Sequence, residues 1–331
     1  MYKLKRIWLS KDPHAYKQWE KLVTAAGLAV GEEVTYTIGL FDEDNLIATA
    51  SCYHNIMKYI VVCKEKQSEQ LLTRMVIHLT MRIKDEGYTN YFVYTAPKNR
   101  VIFESLGFHE VNVCKDILFM EQGTPSFASY IDFLREKATG KKASGIVMNA
   151  NPFTKGHLHL VEIAASQSDQ VYLFVVSEDN AQFSFKERLE MVQQGVAHLS
   201  NVLVFPTNNY LVSSAVFPSY FLKEHAPLEI AKTQAAFDAK LFKEKIAPVL
   251  SITTRYVGEE PFSDVTRLYN EAMASVFQPE IQLKIIPRLL VGQTAISATK
   301  VRQALNDNDY DILAQFLPES TYSFLKEHNY I

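Results

Sequence analysis

The sequence predicts an α/β protein of two domains: a smaller α+β domain, then a domain with a parallel sheet wound by helices. Three observations carry this. At 331 residues the chain exceeds what one hydrophobic core usually supports. Its first third gathers strands around one long helical period, whereas from residue 144 short apolar strands alternate with helical periods. Between them, Glu121 to Gly145 is polar, and Gly, Ser and Lys accumulate in A-T-G-K-K-A-S-G, where no apolar period survives. The domain bounds therefore read as 1–121, a linker with one helix over 122–143, and 144–331.

The first domain is legible strand by strand. Val34, Tyr36 and Ile38 alternate with polar residues and a glycine, D-E-D-N at 42–45 supplies a turn, and Leu46 to Tyr53 resumes a strand. Ile56 to Cys63 follows as a third. From Ser68 to Glu86 the period changes: Leu71, Met75 and Leu79 recur every four residues, Leu72, Val76 and Met81 widen the stripe, and Gly87 ends the helix. A strand from Tyr91 to Thr95, a short helix around Val101 to Leu106 and two strands to about Phe119 complete the order β-β-β-α-β-α-β-β. The linker holds one helix, Phe127 to Lys137. Beyond it the expected strands are Ile146–Met148, Val171–Val176, Val202–Phe205, Arg255–Val257 and Leu283–Ile286, with helices over Gly156–Ala165 and Phe185–Leu199.

Composition excludes several classes. The chain is 47% hydrophobic and 21% charged with a formal net charge of −3, which gives no basic field for nucleic acid. No apolar run approaches a membrane span, and the N-terminus has no apolar core behind its basic residues, so a cytoplasmic protein without a membrane partner is expected. Three cysteines, Cys52, Cys63 and Cys114, have no paired spacing and read as reduced thiols in or near strands.

The chemistry concentrates at G-I-V-M-N-A-N-P-F-T-K-G-H, residues 145–157. An apolar strand stops at Asn149, Ala150 and Asn151, and a helix begins after Thr154. In open parallel sheets ligands bind beyond the carboxyl ends of the strands, and the first-turn N–H groups of a helix are unsatisfied and partly positive, which favours phosphate. Gly156 lets a ligand approach the backbone, Thr154 can cap the helix and donate a hydroxyl, and His157 can present an imidazole N–H where charge builds during displacement. Near the other end stands I-S-A-T-K-V-R, Ile296 to Arg302: hydroxyls of Ser297 or Thr299 at a helix start, and a guanidinium a turn later, make a second phosphate grip. Gly258 and Glu259 follow a strand at the ligand edge, where Gly258 admits a base or simply makes a turn. Lys155, Lys186 and Arg188 offer charge to a triphosphate or lie on a solvated surface.

Together N-A-N-P-F-T-K-G-H and I-S-A-T-K-V-R resemble the nucleotidyltransferase superfamily, whose (H/T)-x-G-H and I-S-S-T-x-x-R signatures grip ATP phosphates in a Rossmann-like domain. By position, the resemblance implies that Thr154 and His157 contact the α- and β-phosphates, His157 stabilising charge in catalysis. It also implies that Asn149, Ala150 and Asn151 supply backbone contacts and that Ser297, Thr299 and Arg302 hold the outer phosphates. Ala298 departs from the pattern where a second serine is common. With S-E-D-N-A-Q-F-S-F-K-E-R-L-E at 177–190 and R-Y-V-G-E-E-P-F-S-D-V-T-R-L-Y-N-E-A-M at 255–273, the chain is similar to the citrate lyase ligase family over nearly its whole length.

That resemblance implies an acid–thiol ligase acting on acetate and ATP, with Mg²⁺ held mainly by the ATP phosphates. Acetyl-adenylate would form with loss of pyrophosphate. The acetyl group would then pass to the phosphoribosyl-dephospho-CoA thiol on the citrate lyase acyl carrier subunit. The first domain, through N-R-V-I-F-E-S-L-G-F-H-E at 99–110, resembles the GCN5-related acetyltransferase fold. Its Q-S-E-Q-L-L at 67–72 puts Ser68, Gln70 and Leu72 where that family's loop is small and cradles pyrophosphate, so no acetyl-CoA-dependent transfer is expected of it. Two rival functions are an adenylyltransferase acting on a phosphopantetheine-like molecule and a nucleotide-binding docking module without turnover.

Overall fold

Strands dominate the first unit, which is built on Met1–Tyr130 and takes in Pro218–Ile230, so that the first turn of the helix Pro227–Leu241 is counted with it. In the computed structural model, which describes residues 2–66, 69–115, 117–177, 182–211, 227–259 and 264–331, it comprises β1 (Lys3–Arg6), α1 (Pro13–Ala25), β2 (Tyr36–Asp42), β3 (Asn45–Tyr53), β4 (Ile56–Val62), α2 (Glu69–Asp85), β5 (Asn90–Thr95), α3 (Arg100–Ser105), β6 (His109–Val113), β7 (Leu118–Gly123) and the start of α4 (Phe127–Glu136). Seven strands form one sheet in the order β1-β2-β3-β4-β5-β7-β6. All neighbours are antiparallel except β4 and β5, which run parallel and pair only at Ile56–Phe92 and Met57–Val93. It is an α+β arrangement with one mostly antiparallel sheet.

Helix α2 buries Met75, Val76, Leu79 and Ile83 in a core with Ile38, Leu40, Ala48 and Met57. Met81, expected to widen that stripe, is instead 60% exposed, because its offset from Met75 and Leu79 carries it off the buried face. The pyrophosphate-loop comparison falls partly outside the described residues, at Gln67 and Ser68; Gln70 and Leu72 lie in the first turns of α2.

Two elements of this unit have no counterpart in the sequence reading. Helix α1 carries the signals a helix start needs, since Asp12 caps it by accepting from the His14 and Ala15 N–H groups and Pro13 occupies its first position. Its Trp19, Leu22 and Val23 pack on Tyr59 and Val61. Strand β1, K-L-K-R, is an edge strand without an apolar period, and charged edges of this kind discourage pairing with other chains. Cys52 is buried on β3, and burial pushes its thiol up to about 11, so at neutral pH it is protonated and no acyl acceptor.

The second unit is built on Ile131–Phe217 and Ala231–Ile331. It contains β8 (Ala143–Met148), α5 (Lys155–Ser166), β9 (Gln170–Val175), α6 (Phe185–Val196), β10 (Val202–Pro206), α7 (Pro227–Leu241), β11 (Ile252–Gly258), α8 (Asp264–Phe277), β12 (Gln282–Ile286), a hairpin of β13 (Leu290–Val291) and β14 (Thr294–Ala295), α9 (Ala298–Asp307), α10 (Tyr310–Phe316) and α11 (Glu319–Glu327). Five strands make a wholly parallel sheet in the order β10-β9-β8-β11-β12. Strand β9 is buried along its whole length, the mark of a strand covered on both faces. Leu160, Val161 and Ala164 of α5, Met191 and Val192 of α6, and Val301, Leu313 and Phe324 from the three last helices join one core. Helix α7 and the π-helical turn Phe242–Ile246 that continues it were not foreseen. Among the described residues no helix is long and apolar enough to cross a membrane.

This strand order places the ligand edge. From central β8 the chain winds outward through β9 and β10, then returns to the other side of β8 with β11 and β12. The winding reverses between β8 and β11, and the loops leaving their carboxyl ends diverge into a crevice.

Candidate active site

The loop leaving β8 is held by arginines at both ends. Asn149 follows the strand directly; its carbonyl and its Oδ1 each accept from Arg188 Nη1 at 2.8 Å. Ala150, 1% exposed, has a φ of 51°, in the left-handed region that costs a residue with a Cβ about 1 kcal/mol or more and that gathers at functional sites. Asn151 gives its carbonyl to Arg302 Nη1 at 2.7 Å and its Oδ1 to the Phe183 N–H at 3.3 Å.

Thr154 then starts α5 as its N-cap, and His157 completes a reciprocal capping box. Thr154 Oγ1 accepts from the His157 N–H, and the Thr154 N–H donates to His157 Nδ1 at 3.0 Å. Because Nδ1 accepts a backbone proton, the neutral ring carries its own proton on Nε2, so the imidazole has one outward N–H donor. The ring stacks on Phe153, with centroids 5.8 Å apart and planes 15° apart, and Phe153 is fully buried.

Burial, and after it the Arg288 guanidinium, push the His157 pKa down to about 4. An unfolded histidine titrates near pH 6.5, so between about pH 6.5 and 4 the unfolded chain binds a proton that the folded chain does not. His157 thus contributes stability that is present above this window and lost as pH falls through it. With a discount for its partial exposure, wild type should lose on the order of 1 kcal/mol more than His157→Gln between pH 7 and 4. Urea unfolding across that range measures it; identical acid dependence in the two proteins would refute the assignment.

The second motif docks against the first. Ser297 caps α9 by accepting from the Lys300 N–H at 3.3 Å. Arg302, a turn on, reaches Thr299 Oγ1 at 3.1 Å as well as Asn151. A Cβ on Gly156 would stand 3.5 Å from Thr154 Oγ1 and 3.6 Å from Ile296 Cγ2, ordinary contact distances, and its φ is not positive. Nothing in the packing or backbone requires glycine at 156, so the residue is free to admit a ligand. Gly258 ends β11 across the crevice with open space where its Cβ would be.

The candidate charges divide differently from expectation. Lys155 does not face the loop; its Nζ donates to the Ala314 and Gln315 carbonyls at 3.0 and 2.8 Å, at the carboxyl end of α10, where a cation suits the helix dipole. Lys186 is exposed. Arg188 is neither surface nor an evident phosphate ligand, being 0% exposed. Its place was readable: Met191, Val192, Gly195 and Val196, at i+3, i+4, i+7 and i+8, are buried with it. Arg288 is a residue the sequence reading missed. Its Nε donates to the Glu259 carbonyl at 2.9 Å, beside Gly258 and near enough to His157 to act on its charge. No local motif marks Arg288, because Glu259, just past β11, and His157, in α5, are distant in sequence.

Two helix N-termini tied together at the switch point of a parallel sheet, with a neutral histidine in the first turn of one of them, make the arrangement of a nucleotidyltransferase-like fold. Residues 143–325 match the citrate lyase ligase C-terminal domain. The chain is 33% identical to the [citrate [pro-3S]-lyase] ligase of Klebsiella pneumoniae, over 98% of this chain and 96% of that one. It is likewise 33% identical to the Escherichia coli K12 ligase of the same name, over 90% and 87%. A phosphopantetheine adenylyltransferase of Haemophilus influenzae matches at 27% identity over 53% of this chain and 92% of its own. The chain belongs to the citrate lyase ligase family.

Proposed function

We propose that this citrate lyase ligase joins acetate to AMP from ATP and passes the acetyl group to a thiol of citrate lyase, that of the phosphoribosyl-dephospho-CoA on its acyl carrier subunit. The observation that carries the reading is the His157 arrangement: a neutral imidazole whose Nδ1 is fixed by the Thr154 N–H and whose Nε2–H is the donor. Acetate is a poor acyl donor. Attack of its carboxylate oxygen on the α-phosphorus breaks the α–β phosphoanhydride bond, releases pyrophosphate and gives a mixed anhydride, from which the thiol later displaces AMP. During that attack negative charge grows on the phosphoryl oxygens, and donors fixed beforehand stabilise it most.

The chain offers three sets of donors. Lys155 and Gly156 have first-turn N–H groups that meet no intrahelical carbonyl. His157 contributes Nε2–H. Ser297 and Thr299 stand at the second helix start, and Arg302 has N–H groups beyond those given to Asn151 and Thr299. ATP arrives as its Mg²⁺ complex, the metal offsetting charge on the outer phosphates. Roles for Asn149, Ala150, Asn151 and Gly258 in lining the nucleotide belong to the same proposal.

The second reading, adenylyl transfer to a phosphopantetheine-like phosphate, is favoured by the adenylyltransferase match over about half the chain. Exchange of labelled pyrophosphate into ATP separates the two. Exchange that requires acetate is expected. Exchange driven by a phosphopantetheine instead would establish the second reading, and none with either would leave a nucleotide-binding docking protein.

A further inference from the structure

The Arg188 side chain is fully buried and donates to the Asn149 carbonyl and Oδ1, the Val176 carbonyl at 2.8 Å and the Phe183 carbonyl at 3.2 Å. Held from several sides, the guanidinium is a fixed anchor for the Asn149 peptide. The peptide joining Asn149 to Ala150 is trans, and in a planar trans peptide the C=O and N–H point in opposite directions. With the Asn149 carbonyl turned onto the buried Arg188, the Ala150 N–H is aimed away from it. That N–H meets no acceptor among the described residues, although Ala150 is 1% exposed and held at a φ of 51°. A buried donor without a partner, in a strained conformation, at the ligand edge of the sheet, is a donor kept for something that binds.

We propose that Arg188 is a positioning residue that acts through Asn149 to turn the Ala150 N–H toward a phosphate oxygen of the nucleotide. The inference rests on the ATP-dependent reading above. Arg302 performs the matching service from the other side, fixing the Asn151 carbonyl, so the left-handed residue is pinned between two guanidinium anchors. Lysine at 188 keeps the charge but not the planar fork that reaches several acceptors at once.

The test is a double-mutant cycle in acetate-dependent ATP–pyrophosphate exchange, with near-UV circular dichroism and the melting midpoint as controls of folding. Arg188→Lys should lower kcat/KM for ATP by about 100-fold, the scale on which small displacements of a reacting geometry act. Asn149→Ala, at an exposed position, should lower it by about tenfold with an unchanged melting midpoint, because one of the two Asn149 acceptors survives. If Arg188 works through Asn149, the double variant stays within about threefold of Arg188→Lys. Losses that multiply to about 1000-fold, or an Arg188→Lys rate within about threefold of wild type, would overturn the proposal.

Should Arg188→Lys not fold, Asn149→Ala alone decides: a tenfold loss with an intact midpoint supports the positioning role, and a wild-type rate removes it. A wild-type protein without acetate-dependent exchange would end the ligase reading separately. The same cycle would then be read on the dissociation constant for ATP by equilibrium dialysis, with the same non-additivity expected.

Discussion

His157→Gln is expected to lower kcat for ATP–pyrophosphate exchange by about 100- to 1000-fold, the usual cost of losing one fixed donor to developing charge, while KM for ATP rises less than about tenfold. Glutamine is chosen because His157 has two duties. Its Nδ1 accepts the Thr154 N–H and so helps begin α5, and glutamine, common at the third position of a capping box, can take that bond. Its Nε2–H is the donor that glutamine does not reproduce at the same place. His157→Ala removes both and should add a loss of about 0.5–2 kcal/mol in stability to the same loss in kcat. The two variants therefore share a kinetic defect and differ in melting midpoint. If glutamine restored the rate as well as the stability, His157 would be only a cap. A neutral ring also sets the pH behaviour: with its pKa pushed down to about 4, His157 keeps one protonation state across pH 6–8 and should give the rate no inflection there.

Much of this site could be read before the fold was seen, and the reason is local. A helix start with Thr at its cap, a histidine three residues on and apolar positions behind is specified within one stretch of chain, as is Ser297 ahead of α9. The second unit was legible because its strands are short apolar runs that alternate with helical periods, β8 and β9 among them being buried on both faces. What escaped was long-range or lacked a period. Strand β1 has lysines and an arginine in a four-residue strand, and only pairing with β2 makes it a strand at all. Arg288 acquires meaning through Glu259, from the end of another strand. Arg188 was misjudged for a different reason. Charge argues for surface, whereas its register with Met191, Val192 and Val196 argues for burial, and at this position the register prevails because four oxygens are waiting for its donors.

The link between α6 and the loop after β8 runs also through Gly195, and Gly195→Ala is the substitution expected to damage stability and turnover together. A Cβ at 195 would overlap Phe153 Cε1 and stand 2.8 Å from its Cδ1, separations that real Cβ atoms do not adopt, so one partner must move. Phe153 is fully buried in the core of the second unit and has no open side into which to swing. Overpacking of this kind costs about 1–3 kcal/mol, against which alanine's helical preference over glycine returns less than about 1 kcal/mol. A net loss of about 1–2 kcal/mol should appear in urea unfolding. The ring that is pushed is the one on which His157 stacks, and the chain between them is the capped start of α5. Displacement of Phe153 by a fraction of an ångström therefore carries to the imidazole, and kcat should fall about tenfold with little change in KM for ATP. Phe153→Leu in the Gly195→Ala background vacates the contested space and should recover part of the stability. If it recovers stability but not rate, the aromatic face under His157 is itself needed to hold the Nε2–H donor in line. If Gly195→Ala costs stability and leaves kcat unchanged, the coupling between α6 and the histidine is absent.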